Sequence, residues 1–149
     1  MIVHATCVAL GARGLLIRGA PGSGKSALAL ELIALGAELV ADDQVALARA
    51  GDTVRARAPA RLAGLIEARG IGILRLPFRA DVALSLVLDL DAPEHGRLPP
   101  RREARLIDVA ITRILRPPSA GAGAILAALR HGPALDPDAA DATHGTNPV

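Results

Sequence analysis

Short apolar runs bounded by glycine, proline and charged clusters dominate the chain, and such runs predict strands joined by tight turns. Ile2–Leu10 reads as a strand, Gly11–Gly14 as a glycine-bounded turn and Leu15–Arg18 as a second strand, together a hairpin. Gly19–Gly24 is rich in glycine and proline. From Lys25 the residues Leu28, Leu32 and Leu35 recur at helical spacing until Gly36, which suits the position just past a helix end. Glu38–Ala41 predicts a third strand ending at Asp42-Asp43, and Val45–Ala50 with Thr53–Ala58 a hairpin turning at Gly51-Asp52 and closed by Pro59. Further on come a short helix or turn over Arg61–Ile66, a strand over Ile71–Leu76 and a long apolar strand over Val82–Leu90. Asp91–Arg105, with three prolines and dense charge, predicts an exposed mobile loop suited to act as a lid. Leu106–Leu115 predicts a strand and Ala124–Arg130 a last helix. From Gly132 onward no periodicity is visible, so the expected organisation is one α/β domain over residues 1–131, with a mixed, strand-rich sheet, and a disordered tail over 132–149.

Composition narrows the function. At 51% hydrophobic, the 149 residues suffice for one ordinary core. A net charge of only +2 and an aromatic content of 1% argue against a nucleic-acid-coating protein, because both the basic field and the stacking surfaces are lacking. The most apolar stretch, Ala27–Ala41, is broken by Glu31, Gly36 and Glu38, so no membrane span is expected, and His4, Arg13 and Arg18 interrupt the N-terminal apolar run, so no export signal is expected. Cys7 is the only cysteine and cannot form an internal bridge, which points to the reducing cytoplasm. Lys25 is the only lysine among 17 basic residues, so its position is informative.

That position is inside a motif. Gly19-Ala20-Pro21-Gly22-Ser23-Gly24-Lys25-Ser26 fits G-x-x-x-x-G-K-[ST], the phosphate-binding P-loop, between a predicted strand and a predicted helix as the motif requires. Small residues let successive backbone N–H groups converge on a phosphate, and the helix directs its positive end at the same anion. Lys25 offers a compact ammonium to the terminal phosphates, and the Ser26 hydroxyl suits Mg²⁺. Asp42 and Asp43 fall at the carboxyl end of a strand, the edge where ligands bind in open α/β sheets. One of them could hold Mg²⁺ through Ser26 or a water while the other accepts a proton from an attacking hydroxyl. Glu67 and Arg69, two apart, would share a face on an extended segment and present a metal ligand beside a phosphate-binding guanidinium.

The order His4, Gly19–Ser26, Ala41-Asp42-Asp43-Gln44-Val45 and Ile66-Glu67-Ala68-Arg69-Gly70-Ile71-Gly72 resembles the catalytic domain of bacterial HPr kinase/phosphorylase, over roughly Ile2–Leu90. The resemblance implies a P-loop core similar to that of phosphoenolpyruvate carboxykinase. It also implies a kinase that uses ATP and Mg²⁺ to phosphorylate a serine of the phosphocarrier HPr, and that in many members removes the phosphate with inorganic phosphate, releasing pyrophosphate. Lys25 and Ser26 then match the P-loop lysine and metal-binding serine, Asp43 the proton acceptor with Asp42 beside it, and His4 an active-site histidine. Glu67 matches a Mg²⁺ ligand, Arg69 lies in the signature tied to dephosphorylation, and Arg97 matches an arginine of a mobile loop. The family usually assembles as a hexamer, which makes a homo-oligomer the expectation.

Against that family the chain reads as a short form. An N-terminal domain is not expected ahead of His4, and the long C-terminal helices are truncated. Arg116-Pro117-Pro118-Ser119-Ala120-Gly121 stands only loosely where a second dephosphorylation motif belongs. Two other readings of the same residues stay open: a P-loop kinase acting on a small metabolite, and a non-catalytic module that senses ATP. Open access to the acceptor favours a protein serine over a metabolite, and turnover separates either kinase from a sensor.

Overall fold

Apolar residues on alternate strand positions divide between two faces of a mixed sheet in the computed structural model, which describes residues 1–118 and 121–133. The described strands are β1 (Ile2–His4), β2 (Thr6–Leu10), β3 (Arg13–Arg18), β4 (Glu38–Ala41), β5 (Gln44–Ala50), β6 (Thr53–Arg57), β7 (Leu65–Ala68), β8 (Gly72–Arg75), β9 (Val82–Pro93), β10 (Arg102–Leu106) and β11 (Val109–Arg116). Two α-helices, α1 (Lys25–Ala34) and α2 (Ala122–His131), lie among the described residues. The main sheet runs β1-β5-β6-β9-β3-β2-β4, with the β10–β11 hairpin joined to β9, while β7 and β8 pair only with each other.

One face carries Val8, Leu15, Ile17, Leu86 and Leu88, which pack under Leu32 of α1 and Ile125, Leu126 and Leu129 of α2. The other carries Cys7, Leu16, Val40, Val87 and, from strands that curl over it, Val45, Val54 and Ile111. Fully burying a side chain of this size contributes about 1.5–3 kcal/mol, and this double-sided burial of β3 and β9 anchors the domain. The central strands are parallel, β3 to β9 and β9 to β11. Two antiparallel steps, β3 to β2 and β2 to β4, make β4 parallel to β3 as well. The carboxyl ends of β3, β4 and β9 therefore open on one edge of the sheet.

Several expectations are corrected. Ile2–Leu10 is two strands, since β1 pairs with β5 whereas β2 pairs with β3 and β4; a change of partner leaves the period of two intact and hence invisible in the pattern. Of Arg61–Ile66, expected as a short helix or turn, Leu65 and Ile66 belong to strand β7, and only Ala60–Leu62 forms a 3₁₀ turn. The mobile loop expected over Asp91–Arg105 shrinks to residues 94–101, because β9 continues to Pro93 and Arg102–Leu106 pairs with β11. The strand expected from Leu106 starts at Val109; Ile107 (φ 51°) and Asp108 (φ 63°) form the hairpin turn between β10 and β11 without the usual asparagine or glycine. Of the expected tail, residues 134–149 lie outside the described residues, as do Ser119 and Ala120.

Candidate functional site

Strand β3 ends at Arg18 and the chain enters the glycine-rich loop. Ala20, Pro21, Gly22 and Ser23 form a β-turn closed by a bond from the Ser23 N–H to the Ala20 carbonyl at 3.0 Å, with proline second and Gly22 third at φ 81°, the pattern of a type II turn. Gly24 precedes α1 at φ 99°, and no side chain caps the helix. The first amides of α1 thus have neither a helical partner nor a cap, which leaves a donor cluster with positive character. Ser23 Oγ is buried without a hydrogen-bond partner among the described residues. It lies where a β-carbon on Gly19 would come within 2.4 Å, so any side chain at position 19 would displace this hydroxyl and crowd Leu90. The Lys25 ammonium folds back on the loop, donating to the carbonyls of Gly19 at 2.8 Å and Ala20 at 3.1 Å.

Asp42, at the end of β4, is the hub of the site. It is only 6% exposed, and one carboxylate oxygen accepts from the Thr6 hydroxyl at 2.9 Å and the Ser26 hydroxyl at 2.7 Å. The other accepts the Glu67 N–H at 3.2 Å. A single carboxylate therefore joins β2, α1 and β7. Because the Ser26 hydroxyl gives its proton to Asp42, its lone pairs stay available to a cation.

Asp43 has the opposite character. It is exposed, and its φ of 70° lies in the left-handed region that side chains avoid. The Gln44 N–H donates to the Asp42 carbonyl at 2.8 Å, so Asp43 is the centre of a three-residue γ-turn. Strain of this kind costs on the order of 1–3 kcal/mol and gathers at functional sites. The turn also settles how the two acids differ: the strand has ended, so one carboxylate is buried and bonded while its neighbour meets solvent.

The remaining expected residues are placed unevenly. His4, exposed on β1, is the register partner of Gln44 and so flanks the Asp43 turn. Glu67 is tied to Asp42 through its backbone and its side chain is exposed. The shared face expected for Glu67 and Arg69 is not observed, since β7 ends at Ala68 and Arg69 sits in a tight turn closed by the Ile71 N–H on the Ala68 carbonyl. Arg97 is exposed on the 94–101 segment and lines a cavity of about 430 Å³ with Ile125 and Ala128 of α2. No hydrogen bond among the described residues joins it to the Asp42 hub. Among the described residues, no three His, Cys, Asp or Glu side chains converge into a metal cage.

Sequence reasoning missed Thr6, Asp89 and Asp91. Asp89 on β9 accepts from Arg18 at 2.7 and 3.1 Å and from Arg113 of β11. Burial pushes its carboxyl up, but the bonds and charges of the two guanidiniums outweigh burial and hold it below the usual range. Asp91 accepts the Ala20 N–H at 2.7 Å. The signal was an acid at the carboxyl end of an apolar strand, already noted for Asp42 but not applied to Val82–Leu90. For Thr6 it was a lone hydroxyl in an apolar run.

Fold and site together define a class: an α/β domain in which a strand, a glycine-rich loop and an uncapped helix meet paired acids at one edge of a mixed sheet. The family model described as the HPr serine kinase C-terminal domain matches residues 1–80, and the chain belongs to that family. It is 41% identical over 122 residues to an HPr kinase/phosphorylase of Aromatoleum aromaticum, covering 72% of this chain and 39% of that protein. With an HPr kinase/phosphorylase of Bacillus velezensis it shares 34% over 128 residues, covering 77% of this chain and 41% of that protein. The chain thus spans about two fifths of the length of these curated relatives. Among solved structures, the HPr(Ser) kinase/phosphatase of Coxiella burnetii superposes with a TM-score of 0.70 at 26% identity, covering 78% of this chain and 85% of that one. No helix among the described residues is long and apolar enough to cross a membrane.

Proposed function

We propose that this chain is an ATP- and Mg²⁺-dependent kinase domain that phosphorylates a serine of an HPr-type phosphocarrier protein. The observation that carries this reading is the Asp42 hub, which brings the serine of the glycine-rich loop and the strained, solvent-facing Asp43 to the same sheet edge. The residues fit a nucleotide phosphate chain: the uncapped α1 amides, the unpartnered Ser23 hydroxyl and the glycine at position 19 form a small donor-lined cradle. They also fit a magnesium ion that keeps most of its waters, because such an ion needs only one or two protein oxygens. Ser26 Oγ, oriented by Asp42, and the carboxylates of Asp43 and Glu67 are the candidate ligands. Magnesium, when bound, would neutralise charge on the phosphates.

The protein's own groups then act as follows. Lys25 leaves the loop carbonyls for the phosphate oxygens. Asp43 takes the proton of the incoming serine hydroxyl as its oxygen bonds to the γ-phosphorus and the bond to the β-phosphate oxygen breaks. His4 lies beside the turn, and Arg69 is two residues beyond Glu67 at the tip of the β7–β8 hairpin. In dephosphorylation an oxygen of inorganic phosphate would bond to the phosphoserine phosphorus as the bond to the serine oxygen breaks, Asp43 returning a proton to that oxygen and pyrophosphate leaving, with Arg69 and Arg97 as the cationic contributors. Exposure of Asp43, Glu67, Arg69 and the apolar Ile71 (80%) and Ile73 (72%) supports a macromolecular acceptor over an enclosed metabolite.

The test is transfer of label from γ-labelled ATP with Mg²⁺ to an HPr-type carrier, read as acid-stable phosphoserine. Label that appears with the unmutated chain and is lost in Asp43→Asn, with ATP still bound, supports the reading. Failure to label any such carrier despite ATP binding would leave a nucleotide sensor instead. Adding inorganic phosphate and measuring pyrophosphate tests the reverse reaction.

A further inference from the structure

The turn at residues 20–23 is gripped from two sides. From within, Lys25 holds the Gly19 and Ala20 carbonyls. From outside, Asp91 near the end of β9 accepts the Ala20 N–H at 2.7 Å, across 71 positions of sequence. Two residues earlier on the same strand, Asp89 binds Arg18, the residue just before the loop. Strand β9 thus lays two carboxylates along the entry to the loop, one on the side chain before Gly19 and one on the backbone after it.

These grips differ in permanence. If Lys25 serves a phosphate, it must let go of the two carbonyls. The turn then keeps its internal bond from Ser23 to Ala20, and the Asp91 bond is the hydrogen bond among the described residues that still ties it to the sheet. A carboxylate on a backbone amide makes a charge-assisted bond, about twice as strong as a neutral one. It also fixes the direction of the peptide plane that the turn starts from, and the amides further along the loop inherit that direction.

We propose that Asp91 is a positioning residue of the nucleotide site, fixing the Ala20 amide so that the turn keeps its register while Lys25 passes from loop carbonyls to phosphate oxygens. The role rests on the nucleotide reading above, whereas the brace is a contact within the chain itself. Asp91 touches neither phosphate nor acceptor in this role; it acts through the backbone of Ala20.

The experiment compares Asp91→Ala and Asp91→Asn in the full chain. Two readouts are used: the amide-proton resonance and exchange of Ala20 in the ligand-free protein, and the Kd of MgATP by calorimetry. Asparagine still presents a carbonyl oxygen but without the charge, so Asp91→Asn is expected to fall between the unmutated protein and Asp91→Ala in both. In Asp91→Ala the Ala20 resonance should move upfield, its exchange should quicken, and the Kd should rise on the order of tenfold, the effect of one such bond. An Ala20 resonance unmoved in Asp91→Ala would overturn the brace. A moved resonance with MgATP affinity within about twofold would overturn its part in the nucleotide site. If the unmutated chain binds no MgATP while Ala20 keeps its signature, the nucleotide reading falls and this role falls with it.

Discussion

Replacing Asp42 by alanine removes the acceptor of three donors at once, and the structure sets the scale of the loss. The Thr6 hydroxyl is fully buried, so without Asp42 it reaches no water and costs about 1–3 kcal/mol. The Ser26 hydroxyl and the Glu67 amide lie in partly buried bonds and recover some hydration, so each adds about 1 kcal/mol. The sum is about 3–5 kcal/mol, and at roughly 2–4 °C per kcal/mol for a domain of this size the thermal midpoint should fall by on the order of 10 °C. Urea unfolding of Asp42→Ala, Thr6→Val and the double variant separates the contributions. Valine has no hydroxyl to leave stranded, so the double variant should be more stable than Asp42→Ala alone by about 1–2 kcal/mol. Strict additivity, or an Asp42→Ala protein within about 0.5 kcal/mol of the parent, would refute the hub as a buried, satisfied network.

Three other outcomes are expected. Cys7 is fully buried and burial pushes its thiol up, so a thiol reagent should modify the native protein only at the rate of unfolding; fast labelling in the absence of denaturant would contradict the packing of β2. Asp89 is held below the ordinary carboxylate range, so its stabilising contribution is present above that range and is lost as pH falls through the lowered folded-state value; Asp89→Asn should flatten this acid limb in unfolding measured against pH, and an unchanged limb would count against the Arg18 and Arg113 pairing. A methyl group on Gly14 would meet Val82 at 2.6 Å and the Ala83 carbonyl at 2.9 Å, so Gly14→Ala should destabilise by about 1–3 kcal/mol in denaturant, and a neutral result would mean that β3 and β9 are not so closely apposed.

How much of this was legible beforehand follows from which signals are local. The glycine-rich loop announces itself because its conformation demands glycine and the sole lysine of the chain falls within it, and α1 follows from helical spacing that ends at Gly36. Strand β4 and the β5–β6 hairpin were equally plain, since Gly51-Asp52 marks the turn. What stayed hidden depends on partners distant in sequence. The break at Ala5 separates strands that pair with opposite halves of the sheet, and nothing in residues 2–10 records that choice. Arg102–Leu106 does alternate, with Ala104 and Leu106 inward, but prolines and charge on both sides masked five residues of period two. The site shows the same division. Asp42 and Asp43 were found together, whereas their separation into a buried hub and a strained exposed acid required the γ-turn to be seen.

Strand β9 carries a consequence for how the polypeptide reaches its native state. It is bordered by β3 along one edge and by β6 and β11 along the other, so segments far apart in the chain assemble upon it. Residues 1–80, the portion the family model covers, stop just short of it. A fragment ending there would hold every group of the Asp42 hub and the whole glycine-rich loop, yet deprive Leu15 and Ile17 of Leu86, Leu88 and the α2 side chains and leave two raw β edges inviting intermolecular association. During synthesis the glycine-rich segment is therefore complete in sequence before β9, the strand on which its neighbours assemble, has left the ribosome.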